Sequence, residues 1–96
     1  MGNSLKQNAG QGTLTTDAAT SNIATGPSVL DQIVIHANLV GTLKVYDDDD
    51  GTDSIFLDLP IGFPAGSYRV GRYCNVGIRR ITSATDKVLF IFRDLS

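Results

Sequence analysis

The chain has 96 residues, of which 42% are hydrophobic, with ten aspartates, no glutamate and a formal net charge of −2. A chain of this length forms one domain around a modest core. The acidic balance argues against nucleic acid or an anionic membrane as a partner, and no apolar run approaches the roughly 18 residues needed to cross a bilayer.

Residues 1–27 differ in composition from the rest of the chain. They are polar and rich in glycine and other small residues, with Leu5, Leu14 and Ile23 as isolated large aliphatic side chains. Alone, such a segment buries too little apolar surface to offset the entropy lost on ordering it. We therefore predict an extended N-terminal arm that lies either on its own domain or on a neighbouring subunit.

Short apolar segments separated by turn residues follow Pro27. Alternation and β-branched density predict strands over residues 28–37, 42–46, 54–59, 67–70, 73–81 and 87–93. Strands at intervals of about ten residues are typical of a sandwich or barrel, and no segment has the apolar period of a helix. The sequence thus predicts an all-β fold: a small antiparallel β-sandwich, jelly-roll or immunoglobulin-like, over residues 28–96.

The last predicted strand is apolar on both faces. Because successive side chains alternate, Val88, Phe90 and Phe92 face one way, and Leu89 and Ile91 face the other. A surface strand of a lone antiparallel sandwich usually has one wet face, and small cores gain stability from oligomerisation. We predict that the second face of this strand lies against a covering arm or another subunit. The residues assigned to subunit contacts are Leu5, Leu14, Ile23, Phe90, Phe92 and Arg79.

The run from Asp47 to Asp53 contains five aspartates around Gly51. It does not match an EF-hand loop, because Tyr46 would then supply the first ligand and Leu57 the twelfth. We interpret the run as a solvated hairpin tip in which aspartate and glycine provide the turn geometry. The alternative is a cation site, for which the candidate ligands are Asp47, Asp48, Asp50 and Asp53.

The residues most often used in catalysis are scarce. His36 and Cys74 are single residues of their types, and neither has a partner nearby in sequence that would make a nucleophile and base pair. Arg79 and Arg80 are adjacent on a predicted strand, so one faces solvent and the other faces inward or into an interface. We predict a protein that is not an enzyme and that needs no cofactor.

One set of motifs resembles a known class of proteins. Gly41 to Asp47 forms the pattern G-T-x-x-V-Y-D, Asn75 to Ile78 reads N-V-G-I, and a Val-Leu-Phe-Ile-Phe-Arg strand closes the domain. In these features residues 25–93 resemble the small β-sandwich proteins found in tailed-phage virions. That class supplies no catalytic residues to carry over.

The resemblance implies a capsid decoration (cement) subunit, a homotrimer that bridges capsomers by binding the major capsid protein. Such a protein is made in the bacterial cytoplasm and resides on the capsid surface of the virion. The alternatives are a tail, baseplate or head-fibre adaptor, or a module that faces a receptor or a glycan. In these, the loops at residues 47–53 or 60–66 form the contact surface.

Overall fold

A computed structural model describes residues 11–52 and 54–95 as eight β-strands joined by turns. The strands are β1 (Gln11–Thr15), β2 (Thr20–Thr25), β3 (Ser28–Ile35), β4 (Leu43–Tyr46), β5 (Ile55–Leu59), β6 (Gly66–Cys74), β7 (Gly77–Thr82) and β8 (Val88–Asp94). Among these residues there is no helix long and apolar enough to span a membrane.

The strands form two four-stranded sheets in which every neighbouring pair is antiparallel. Sheet 1 has the order β1-β8-β3-β6, and sheet 2 has the order β2-β7-β4-β5. The pairs β1–β8, β2–β7, β3–β6 and β4–β5 are those of one long antiparallel ribbon folded over itself, which is the topology of an eight-stranded jelly roll. The predicted antiparallel sandwich is confirmed, and the strand order selects the jelly roll over the immunoglobulin-like alternative.

The core lies between the two sheets and follows the alternation of each strand. In β8 the inward side chains Val88, Phe90 and Phe92 are at most 5% exposed, whereas Leu89 and Ile91 face outward and are half-buried. The other fully buried large side chains come from β3, β4 and β7: Leu30, Ile33, Ile35, Leu43, Val45 and Ile78.

The N-terminal segment contributes to both sheets. Residues 11–25 include β1 at one edge of sheet 1 and β2 at one edge of sheet 2. This part of the predicted arm therefore lies on its own domain, the first of the two alternatives, and it belongs to the sandwich that the sequence placed at residues 28–96. The segment has few apolar side chains to offset the entropy lost on ordering it, but its strands β1 and β2 gain backbone hydrogen bonds by pairing with β8 and β7. Residues 1–10 lie outside the described residues.

Aspartate carboxylates hold the turns at both ends of the sandwich. Asp86 Oδ1 and Oδ2 accept hydrogen bonds from the amides of Val40 and Gly41, each at 2.9 Å, and so fix the turn before β4. At the opposite end, Asp47 Oδ1 accepts a hydrogen bond from the Val76 amide at 2.9 Å. Buried amides need acceptors where the strand ladders stop, which gives a structural reason for an aspartate-rich composition.

Candidate contact surface

The outer side of sheet 1 carries a group of apolar side chains that we call the apolar face: Leu14, Val29, Val34, Leu89 and Ile91. The strand register places Leu14 opposite Leu89, and Leu89 opposite Val34, so that these three form a row across β1, β8 and β3. Directly opposite side chains have Cβ atoms about 4.5–5.5 Å apart, so they contact each other. Leu14, at the end of the row, is 50% exposed.

The outer side of sheet 2 has a different character. Its corresponding row runs from Thr20 through Ile81 and Lys44 to Asp58, so that a single isoleucine lies among polar and charged residues. An antiparallel sheet of a lone protein commonly has one polar, solvated face, and this row of sheet 2 fits that description, although the half-exposed Ile55 lies on the same side. Sheet 1 does not, and contiguous apolar groups on a surface mark sites of interaction.

Polar groups surround the apolar face. Arg93 Nε lies 3.0 Å from Asp31 Oδ2, in an ion pair that is partly exposed at one end of the sheet. In the register, Gln32 lies between Ile91 and Arg69. An apolar centre with a polar, arginine-containing rim is the usual arrangement in protein–protein contacts.

The structure places the six residues that the sequence assigned to interfaces in different environments. Leu14 lies on the apolar face. Ile23, Phe90 and Phe92 are in the core, at 9%, 0% and 5% exposure, and are not available to another subunit. Leu5 lies outside the described residues. The face of β8 that remains for a partner is the one opposite to Phe90.

Leu89 and Ile91 were recognisable from the sequence as the second apolar face of the last strand. Choosing which face is buried in the chain's own core was not possible from alternation alone, because both faces are apolar. Val29 and Val34 carried no separate signal, because β3 also reads as continuously apolar. The outward position of Val34 becomes evident only from its pairing with Leu89.

Arg79, the sixth assigned residue, binds within its own chain. Its Nη1 atom donates hydrogen bonds to Asn22 Oδ1 at 2.9 Å and to the Asp49 carbonyl at 3.2 Å. These bonds tie β7 to β2 and to the aspartate-rich segment after β4 that begins at Asp47, which we call the acidic loop. Its Nε atom is buried and has no hydrogen-bond partner among the described residues. The neighbouring Arg80 is only 3% exposed and faces inward, as the alternation of adjacent strand residues predicts.

Asp47, the first residue of the acidic loop, binds the turn between β6 and β7 through its carboxylate. Asp47 Oδ1 accepts hydrogen bonds from the amides of Val76 at 2.9 Å and Gly77 at 3.3 Å, and Asp47 Oδ2 accepts one from Asn75 at 3.1 Å. Asp47 thus fixes the turn between β6 and β7. This structural function accounts for a residue that the sequence offered as a candidate cation ligand.

The next carboxylates lie close together. Asp48, Asp49 and Asp50 each have a carboxylate oxygen within 4.8 Å of the others. Asp48 Oδ1 accepts hydrogen bonds from the amides of Asp49 at 2.8 Å and Asp50 at 3.3 Å, as in a side-chain-stabilised turn. Asp53 lies outside the described residues. The contacts of Asp47 and Asp48 fit the hairpin-tip interpretation, in which the aspartates supply turn geometry.

His36 and Cys74 lie in contrasting environments. His36 is exposed just after β3, and its amide donates to the Lys87 carbonyl at 3.1 Å. Cys74, at the end of β6, is fully buried. Burial raises the pKa of the Cys74 thiol from 9.0 to about 11, with a further contribution from the negative charge of Asp47. Because the thiolate is the nucleophilic form, this cysteine is unreactive near neutral pH.

A cleft of about 300 Å³ opens between the two sheets where β5 and β6 form neighbouring edges. Its lining residues are mostly apolar: Ile33, Leu57, Leu59, Phe63, Tyr68, Arg69 and Val70. The rings of Phe63 and Tyr68 are 5.0 Å apart, and the Tyr68 hydroxyl donates to the Pro64 carbonyl at 2.7 Å. The cleft is thus a second candidate contact surface, and it includes part of the loop at residues 60–66.

Comparison with known proteins gives little further information. The family model of apopolysialoglycoprotein (PSGP) matches residues 17–29, which run from the turn after β1 through β2 to the start of β3. This 13-residue stretch of mostly small side chains is too short to show a family. No curated protein matches the chain.

Proposed function

We propose that this protein is a structural component of a phage virion, a capsid decoration subunit that binds the shell through the apolar face of sheet 1. The observation that carries the proposal is the contrast between the two outer faces. Val34, Leu89 and Leu14 form a continuous apolar row on one sheet. On the other sheet, Lys44 and Asp58 occupy the corresponding positions. A continuous apolar row on the outer side of a sheet favours binding to a larger assembly.

Two further features support a binding role. By analogy at the level of the fold, a jelly roll fits this role, because jelly rolls are common in viral capsid proteins. The carboxylates of Asp47 and Asp86 and the guanidinium of Arg80 bind backbone groups of turns, so their hydrogen bonds serve the scaffold. The homotrimer and the major capsid protein as partner stay predictions.

Copy number in the virion is the first test. Quantitative mass spectrometry of virions purified from the phage that encodes this chain measures the ratio of this protein to the major capsid protein. We expect hundreds of copies per particle, because a decoration subunit follows the lattice of the shell. A dozen copies or fewer indicates a tail or baseplate component, and absence from the particle contradicts a virion role.

A pair of matched variants tests the surface. Ile91 and Ile81 are both half-buried, outward-facing isoleucines on the second strand of their sheets, β8 and β7. Threonine keeps the β-branch in each, so Ile91→Thr and Ile81→Thr have similar costs of about 1 kcal/mol in the free energy of unfolding.

Shell binding distinguishes the two variants. Each is mixed with capsids that lack the protein, and the bound fraction is measured by co-sedimentation. We expect Ile91→Thr to bind at least about tenfold more weakly than the native chain, and Ile81→Thr to bind as the native chain does. Equal binding by the two variants contradicts a contact through the apolar face.

A second function is favoured by the cleft between β5 and β6. Aromatic and apolar side chains in a concave site with a few polar groups are typical of ligand-binding surfaces, and Phe63 and Tyr68 provide such a lining. The function is that of a receptor- or glycan-facing module carried on the virion. A glycan array probed with the purified protein tests it. Binding that is lost in Tyr68→Ala and kept in Ile91→Thr would favour this function over shell decoration.

A further inference from the structure

The four edge strands of the sandwich differ in how they are protected against pairing with another chain. A β-bulge or a charged side chain on an edge strand discourages further strand addition. β2 has a register shift between Asn22 and Ala24. β5 carries Asp58 and has a register shift between Leu57 and Ile55 in its pairing with β4. β6 carries Arg69 and Arg72, and its pairing with β3 is also shifted.

β1 has none of these protections. Its five residues, Gln11–Thr15, are uncharged, include no proline and pair with β8 in an unbroken register. Within the described residues its other edge is free, so that alternate backbone N–H and C=O groups point away from the sheet. The apolar row also reaches the edge of the sheet on this strand, at the half-exposed Leu14.

We infer that β1 binds β1 of a second copy of this chain in antiparallel fashion, joining two copies of sheet 1 into one eight-stranded sheet. The contact is isologous, with a twofold axis at Thr13. Residues that lie opposite each other in an antiparallel pair point to the same side of the sheet. A twofold axis must therefore pass midway between the two copies of one residue, which then pairs with itself. An axis at Thr13 pairs all five residues of β1, whereas an axis at Gly12 or Leu14 pairs only three.

This register is complementary in shape as well as in length. It places Leu14 of one copy opposite Gly12 of the other, both on the outer side of the sheet. Gly12 has no side chain and lies opposite Ile91, so the notch over it receives the partner's leucine beside Ile91 and Leu89. A Cβ atom added at Gly12 would lie 3.3 Å from Leu89 Cδ1, so the Leu89 side chain forms one wall of this notch. The apolar faces of the two copies then form one surface.

The inference concerns self-association and does not rest on the proposed function. An isologous β1 contact gives dimers, whereas the homotrimer expected from the sequence requires a head-to-tail contact between two different surfaces. A trimer would overturn the β1 contact and leave shell decoration untouched. Absence of the protein from virions would contradict decoration and leave the β1 contact untouched.

Sedimentation equilibrium of the full chain tests the contact. We expect a monomer–dimer equilibrium for the native protein. Leu14→Lys places a charge in the contact and should raise the dimer dissociation constant at least about tenfold. The matched control is Thr20→Lys, an exposed threonine on the edge strand β2, which should leave the dissociation constant unchanged. Circular dichroism melting confirms that each variant is folded.

Disulfide cross-linking tests the register. Thr13→Cys places two thiols opposite each other across the axis, within the distance that a disulfide spans, while the native Cys74 is fully buried and does not compete. Gln11→Cys is the control, because its two copies lie on the order of 13 Å apart in the proposed register. Rapid dimer formation by Thr13→Cys, with little by Gln11→Cys, supports the contact. A native monomer, a trimer, a dimer that Leu14→Lys leaves intact, or equal cross-linking of both cysteines overturns it.

Discussion

Arg80 Nη2 lies 2.6 Å from Asp17 Oδ1, which joins β7 to the turn between β1 and β2 across 63 residues of sequence. The same guanidinium donates from Nε to Ser21 Oγ at 2.7 Å and from Nη1 to the Asp17 carbonyl at 2.9 Å. Arg80 is 3% exposed while the Asp17 side chain is 67% exposed. The arginine therefore fixes the turn from inside, and the ion pair to Asp17 is its solvent-facing part.

Replacing Arg80 should destabilise the fold much more than replacing its carboxylate partner. In Arg80→Met, Ser21 Oγ and Thr82 Oγ1 lose the arginine as a donor, and the Asp17 carbonyl keeps the bond from Thr82 Oγ1 but loses the one from the guanidinium. We expect the free energy of unfolding to fall by about 2–3 kcal/mol. In Asp17→Asn the guanidinium keeps its other partners, and an exposed ion pair contributes little, so the loss should be clearly smaller. Urea titrations of both variants measure the difference. Equal losses would show that the ion pair, and not the buried hydrogen bonds, holds the turn.

Asp17 should also give the protein a measurable acid dependence. The hydrogen bond from Arg80 holds the pKa of the Asp17 carboxyl below its ordinary value of 3.8. Because the folded pKa lies below the unfolded one, unfolding takes up a proton in this range. The stabilisation is therefore complete above the unfolded pKa and is lost as the pH falls through the folded pKa.

The comparison with Asp17→Asn isolates this effect. The difference in unfolding free energy between the native chain and the variant should be constant from neutral pH down to about pH 5, and should shrink towards pH 2. Urea titrations at a series of pH values measure it. A difference that stays constant over the whole range would contradict the lowered pKa.

Asp86 should be one of the aspartates most important for stability. It is 6% exposed, and its two carboxylate oxygens accept the amides of Val40 and Gly41. Asp86→Ala leaves both amides without an acceptor, with an expected loss of about 2–4 kcal/mol. Asp58→Ala, which removes an exposed aspartate on the outer side of β5, is the control and should change stability by less than about 0.5 kcal/mol. Thermal melts of the two variants test the contrast, and similar melting temperatures would contradict the assigned role.

The fold class could be predicted from the sequence because alternation and turn residues act locally. The pattern in residues 87–93 identified the last strand and its two faces, and the acidic run at Asp47 identified the β4–β5 hairpin. The order of the strands could not be predicted in this way. It depends on pairings between distant segments, such as β1 with β8, which local propensity does not encode.

The least accurate predictions fell where a distant side chain determines the local backbone. The sequence predicted one strand over residues 73–81, whereas β6 ends at Cys74 and β7 begins at Gly77. The turn between them exists because Asp47 accepts the amides of residues 75–77. A Cβ atom at Gly77 would lie 2.6 Å from the Ala24 carbonyl oxygen, so that β2 can approach only a glycine there.

The contact surface was predicted only in part, because it too depends on contacts between segments that are distant in sequence. Leu14 was assigned to subunit contacts as part of an extended arm, and not as a residue of an edge strand. Phe90 and Phe92 were assigned to an interface because the last strand is apolar on both faces, and alternation does not tell which face is buried in the chain's own core. In a sandwich of this size the largest side chains of a central strand fill the space between the sheets, which leaves the smaller Leu89 and Ile91 outside.

Cys74 should be protected from modification for as long as the protein is folded. It is fully buried, and burial raises the pKa of its thiol to about 11, so that very little thiolate exists near neutral pH. An aromatic disulfide reagent at pH 8 should therefore label the native chain at the rate of global unfolding, and label the urea-unfolded chain immediately. In Ser67→Cys, which adds a thiol at an exposed position of β6, one thiol should react at once and the second only on unfolding.

Above pH 9 the unfolded chain loses the proton of its Cys74 thiol before the folded chain does. The unfolding free energy of the native protein should then fall between about pH 9 and pH 11, more steeply than that of Cys74→Ala. Rapid labelling of the folded native chain would contradict the burial of Cys74, and with it the close packing of this end of β6 against the core.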